Sequence, residues 1–257
     1  MSLEGKVAVV TGSSRGIGKA MALAFAQAGA DVVVAARTDS EGGPISGTIY
    51  ETAEAIKSMG RKCLAVKTDV SKDEDVENLA KQVFDEFGRA DILVNNAAAL
   101  IRGPFLDTPI RRWDLMNQVN LRATFLCIQA FLPKMVEGRW GHIINISPKA
   151  RTELGTGSIA QQVHKMGITL MSSGLAKEVA EHNVAVNCLW PEGQRDSEGM
   201  LYIYRGAQPD WLSTQIMADA ALYIVSQEPS KYTGHALTDL EVMAEVGVTD
   251  LSKYKLE

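Results

Sequence analysis

An α/β fold, a doubly wound parallel sheet of about seven strands with helices on both faces, is predicted by three features of the 257-residue sequence. Apolar runs of strand length alternate along the chain with longer segments of helical period. The first run, VAVV, is β-branched and apolar throughout, as a strand buried on both faces requires. A glycine-rich turn joins that run to the first helical segment.

Taken in order, Lys6–Gly12 reads as the first strand. Gly16 to about Ala28 places Ile17, Met21 and Phe25 at helical spacing, forming a helix packed on a sheet. Asp31–Ala36 and Cys63–Val66 read as the second and third strands. The Gly/Ser/Pro stretch Thr38–Gly47 and a helix over about Tyr50–Met59 lie between them. A helix at Glu74–Phe87 precedes a fourth strand, Ile92–Asn95. Arg111–Met135 reads as one long helix, Trp140–Ile146 as the fifth strand and about Ser158–Ala180 as a further helix. Val184–Leu189 is the sixth strand, Glu192–Gln208 is irregular, Leu212–Val225 is helical and a last strand lies near Ala236–Leu240. Strands alternating with helices imply right-handed crossovers and one parallel sheet. No repeat or linker divides the chain, so residues 1–257 are expected to form one domain.

Hydrophobic residues make up 46% and charged residues 22%, which suits a globule with a sizeable core. A net charge of -5 argues against a nucleic-acid or anionic-membrane surface. Cys63, Cys127 and Cys188 are odd in number, scattered and set in apolar runs, which fits buried thiols in a reducing compartment. The four histidines do not cluster with them, so no metal site is expected. No signal peptide is visible and no apolar stretch is long enough to span a membrane, so the expected location is the cytoplasm.

The sharpest motif is Thr11-Gly12-Ser13-Ser14-Arg15-Gly16-Ile17-Gly18, which leaves the first strand and opens the first helix. Gly12 permits a tight turn, Gly16 allows the backbone to approach a pyrophosphate, and Gly18 allows close helix–sheet packing. The helix N-terminus adds unpaired N–H groups and the positive end of its dipole. Together these are the marks of a Rossmann-type dinucleotide site. A second motif, Asn95-Asn96-Ala97-Ala98, ends the fourth strand.

TGSSRGIG, the NNAA segment, Asn120 in QVNL, INIS at Asn145–Ser147 and Lys165 resemble the short-chain dehydrogenase/reductase family over essentially the whole chain. Which dinucleotide is bound follows from charge. NAD-preferring proteins tend to place an acid after the second strand, whereas this chain has Arg37 there. Arg37 and Arg15, with Ser13 and Thr38 nearby, suit the 2′-phosphate of NADP(H). The resemblance further implies that Asp69, with Val70 beside it, meets the adenine, and that Asn96 lies at the adenosine ribose. It places Lys165 at the nicotinamide ribose, and Pro191 and Gln194 beside the nicotinamide after the sixth strand.

Family members use a Ser, a Tyr and a Lys, supported by an Asn, to move a proton as hydride is transferred. The Tyr stands one helical turn before the Lys, so both face one pocket. Here that position holds Gln161. The serine position holds Pro148, with Ser147 adjacent; only Asn120 and Lys165 match. The six tyrosines are Tyr50, Tyr202, Tyr204, Tyr223, Tyr232 and Tyr254, so no shift of register supplies one. AARTDSEGGPISGTIYETAEAI, Ile146–Pro148, Leu189–Pro191 and the C-terminal segment resemble the hydroxysteroid dehydrogenase-like branch. In that branch a proline at this serine position is ordinary.

An amide cannot act as an acid near neutral pH, and losing a positioned acid costs about 10²–10⁴ in rate. Three readings follow. An NADP(H)-dependent oxidoreductase would use a substitute donor (Ser147, His164, Tyr202 or Tyr204) or a substrate that needs none. A non-redox cyclase, lyase or isomerase would use the same pocket for other chemistry. A catalytically silent protein would bind cofactor only. The segment 192–213 is expected to act as a substrate lid. In this family the helices carrying FLCIQAFL and Val163–Met171 pack between subunits, which implies a homodimer or homotetramer acting on a small-molecule substrate.

Overall fold

A computed structural model describes residues 2–100, 102–150 and 159–256. Ile101 and Ser158, the expected first residue of a helix, lie outside the described residues. Seven strands, β1 (Val7–Thr11), β2 (Asp31–Ala36), β3 (Cys63–Lys67), β4 (Ile92–Asn95), β5 (Gly141–Ile146), β6 (Val184–Trp190) and β7 (Ala236–Thr238), form one sheet in the order β3-β2-β1-β4-β5-β6-β7. Every pairing is parallel, with Val9 facing Val33 on one side and Leu93 on the other.

The strands alternate their side chains between two apolar layers, as a pleat of period two requires. Ala8 and Val10 join the layer made by α1 (Gly16–Gln27), α2 (Ile49–Ser58), α8 (Gln215–Val225) and α9 (Asp239–Glu245). Val7 and Val9 join the layer made by α3 (Asp73–Phe87), α5 (Ala123–Glu137) and α6 (Ile159–Glu178). Strand order reverses between β1 and β4, and the turns after β1, β2, β3 and β4 open at that switch point, where doubly wound sheets bind ligands.

The helix expected over Arg111–Met135 is three pieces: α4 (Ile110–Met116), a π-helical turn over Asn117–Arg122, and α5. The widened turn carries Asn120, whose side chain bonds the backbone of Ala99 in both directions, Nδ2 donating to O and Oδ1 accepting from N. Such π turns recur at functional sites. The segment 192–208, expected to be irregular, contains α7 (Glu198–Tyr204). The last strand stops at Thr238, where a reciprocal capping box between Thr238 and Glu241 starts α9. No helix among the described residues is long and apolar enough to cross a membrane.

Candidate active site

Gly12, Ser14, Arg15, Gly16 and Ile17 form one wall of a cleft of about 300 Å³ at the switch point. Arg37 and Thr38 after β2, Asp69 and Val70 after β3, and Asn96 after β4 line the rest. The glycines are there for space. A Cβ on Gly12 would come within 2.9 Å of the Ala97 backbone, and one on Gly18 within 2.4 Å of the Gly12 carbonyl. Gly12 and Gly16 also hold positive φ, at 67° and 58°. Asn96 fastens the turn to β4, its Nδ2 donating to the carbonyls of Thr11 and Gly12.

Two expected phosphate ligands are placed otherwise. Ser13 is fully buried, its hydroxyl donating to the Val10 carbonyl and accepting from the Ala35 amide, so it ties β1 to β2 rather than facing the cleft. Arg15 lines the cleft, but its guanidinium donates to the carbonyls of Ser46 and Gly47, each at 2.7 Å, and clamps the loop before α2 onto the turn. Arg37 remains an exposed cation on the cleft wall. Its charge also bears on Asp69: burial pushes that carboxyl upward, but bonds from Ser71 and the nearby Arg37 outweigh it and hold the pKa below the ordinary value.

Asn120, Ser147 and Lys165 gather where β4 and β5 end against α6. Ser147 is fully buried and turned toward α6: its hydroxyl donates to the Lys165 carbonyl at 2.5 Å and lies 2.6 Å from Thr169 Oγ1. The Lys165 ammonium is also buried, donates to the Ile146 carbonyl at 2.6 Å, and is pushed down to about 8 by burial. Gln161 lies one turn earlier on α6, half-buried. His164 is buried and packs at a tilt against Trp113 of α4 with ring centres 4.6 Å apart, and burial lowers its pKa. Tyr204 bonds Arg102 and packs edge-on against Trp211, while Tyr202 is exposed on α7.

After β6, Glu192 accepts from the Thr238 hydroxyl at 2.7 Å, toward the end of β7. Pro191 and Gln194 lie outside the cleft wall, and Gln194 offers its carbonyl to Arg195 and to the Leu212 amide. A buried pair unsuspected in the sequence anchors this segment. The guanidinium of Arg195 meets Asp239 at 2.9 and 2.5 Å, with both side chains almost fully enclosed. Ser197 and Gly199 also line the cleft. Nothing periodic marks them in the sequence, and only the fold brings them there.

A Rossmann-type sheet, a glycine turn at its switch point, and Asn120 and Lys165 at the β4–β5 end are what a nicotinamide-dependent dehydrogenase presents. The chain belongs to the short-chain dehydrogenase family, whose profile matches residues 6–198. It is similar to hydroxysteroid dehydrogenase-like protein 2 of Bos taurus, 35% identical over 257 residues, which cover 99% of this chain and 61% of that protein. The Homo sapiens protein of that name is 35% identical over 258 residues, with the same coverages. The chain thus spans about three-fifths of the length of these relatives. A solved protein from Xanthomonas campestris superposes with a TM-score of 0.94 at 37% identity, covering 100% of this chain and 95% of that one. A metagenomic short-chain oxidoreductase in complex with NADP has a TM-score of 0.78 at 30% identity, covering 93% and 98%.

Proposed function

We propose that the chain is an NADP(H)-dependent oxidoreductase of atypical mechanism, lacking the tyrosine acid of its family. The observation that carries the cofactor reading is Arg37, an exposed cation on the wall of a cleft built around closely packed glycines. The relative solved with NADP supports it. The residues fit the group. The backbone of residues 12–18 would cradle the pyrophosphate, Arg37 and Thr38 would take the 2′-phosphate, and Asp69 and Val70 would border the adenine. The bound nicotinamide supplies or accepts a hydride.

The chain's own groups then limit the substrate. Gln161 has no acidic proton. Ser147 gives its proton to the Lys165 carbonyl, the His164 ring packs against Trp113 with its pKa lowered by burial, Tyr204 accepts from Arg102 beside Trp211, and Tyr202 faces solvent. The acceptor that suits such a site takes hydride without a protein-derived proton on oxygen, such as an iminium or an activated double bond. Those same inward ties favour a second reading, a cofactor-binding protein that does not turn over. Titration with NADPH and NADH decides the cofactor. NADPH should bind more tightly, and Arg37→Glu should cost it about 2 kcal/mol, roughly 30-fold, while sparing NADH. Equal affinity of the wild type for both overturns the NADP(H) assignment. Consumption of NADPH matched to product across carbonyls, imines and enals separates the oxidoreductase from the silent reading. We further propose that residues 1–257 act as one cytoplasmic domain with residues 192–213 as its lid, and that the protein works as a homodimer or homotetramer.

A further inference from the structure

We propose that Glu198 is an internal latch on the phosphate cradle, a carboxylate that occupies the amide donor a dinucleotide phosphate needs and must leave before the cofactor enters. The inference rests on the cofactor reading above and extends it to how the site is regulated. Glu198 Oε2 accepts from the backbone amide of Gly16 at 2.6 Å, across 182 residues of sequence. Gly16 is the first residue of α1 and the middle glycine of the turn. Its own N-cap residue, Arg15, makes no side-chain cap, and no acidic residue stands in its first turn. Its unpaired amides therefore favour an anion, and the lid supplies one. Contact is close on both sides: a Cβ on Gly16 would meet Ser197 Cβ at 2.9 Å.

The lid is built to carry this group in and out. Its first foot is held by the buried pair of Arg195 with Asp239 and by a bridge from Arg195 to Leu212. Its second foot is held by Tyr204, through Arg102 and Trp211. Between the feet, α7 buries none of its residues, so moving it exposes little apolar surface. Positive φ at Gly193, Arg205 and Gly206 marks turns on either side of it. A dinucleotide diphosphate and the Glu198 carboxylate carry like charge and need the same donor, so they exclude one another. Cofactor affinity is then reduced by the fraction of molecules in which the latch is closed.

The test compares wild type with Glu198→Ala and Glu198→Gln in two measurements. Without cofactor, amide exchange at Gly16 should be faster in Glu198→Ala than in wild type; unchanged exchange overturns the latch. In binding titrations Glu198→Ala should tighten NADPH by about tenfold, with Glu198→Gln intermediate because it keeps the acceptor and loses the charge. If wild type binds NADPH and Glu198→Ala binds it no more tightly, the latch is overturned and the cofactor reading stands. If none of the three proteins binds NADPH or NADH, the cofactor reading itself falls. The exchange result reports the contact independently of that outcome.

Discussion

Gln161 and Lys165 share one face of α6 a single turn apart, yet only the lysine can exchange a proton near neutral pH. Its ammonium is buried, held by the Ile146 carbonyl and pushed down to about 8. A tyrosine one turn before it would gain a neighbour suited to lowering a phenol's pKa. Gln161→Tyr should therefore raise reduction of simple ketones by about 10²–10⁴, the usual contribution of a positioned acid, while leaving NADPH affinity unchanged. Steady-state rates and a binding titration read the two effects separately, and unchanged ketone reduction would show that Gln161 is not the decisive departure. The identities at the site were legible in the sequence, because Gly12, Gly16, Arg37, Asn120 and Lys165 stand in motifs of fixed spacing. Directions were not. That Ser13 and Ser147 turn inward, and that Arg15 clamps a loop, depends on carbonyls supplied by Val10, Lys165, Ser46 and Gly47. For Ser147 and Arg15 those partners lie 18 to 32 residues away and are set by tertiary packing, while Ser13 bonds locally but is also held from β2 by the Ala35 amide.

Among elements, the sheet and its long helices were readable because apolar period and burial agree along them. The short pieces were not. Nothing in the seven residues of α7 gives a buried stripe, since the helix buries no residue, and it ends at Arg205 in a left-handed turn. The start of α9 did carry a signal, Thr238 with Glu241 three residues on, the same capping box that opens α2 at Thr48 and Glu51. The widened turn at Asn117–Arg122 had no clear one, because no Gly or Pro interrupts NQVNLR and the apolar residues on either side keep helical spacing. α9 also holds Asp239, so this overlooked helix fastens the segment after β6. Besides its two bonds from Arg195, Asp239 accepts from the amides of Glu192 and Leu240. Removing one partner of an enclosed pair leaves the other charged and unpaired. Asp239→Ala should destabilise the fold by about 3–5 kcal/mol in urea unfolding, and Arg195→Met with Asp239→Leu should recover most of that loss. A cost below about 1 kcal/mol for Asp239→Ala would show that water reaches Arg195 and that the segment after β6 is not held as described.

At the scale of the molecule, the two layers covering the sheet end differently toward solvent. The α5–α6 side leaves Phe125, Val163 and Leu170 uncovered at 48%, 41% and 66%, although both helices bury their opposite faces in the core. Scattered exposed apolar residues need no explanation, but three on two helices of the same layer lack the burial that Cys127, Phe131 and Ala176 obtain on the same helices. A second copy presenting the same layer would cover them, because a two-fold axis sets one apolar face against its equal. This is the face the sequence marked, where apolar residues recur on more than one side of each helix and a single sheet can satisfy only one. The cofactor cleft lies at the strand ends, lined by other elements, so association and dinucleotide binding should be separable. Leu170→Glu places a charge in the middle of the proposed contact without touching the core or the cleft. Light scattering should give the wild type a mass of two or four chains and Leu170→Glu the mass of one, with NADPH affinity preserved. A wild type of one-chain mass removes the proposed assembly. A multimer that survives Leu170→Glu moves the interface elsewhere, and α5 and α6 would then present apolar side chains to solvent without a partner.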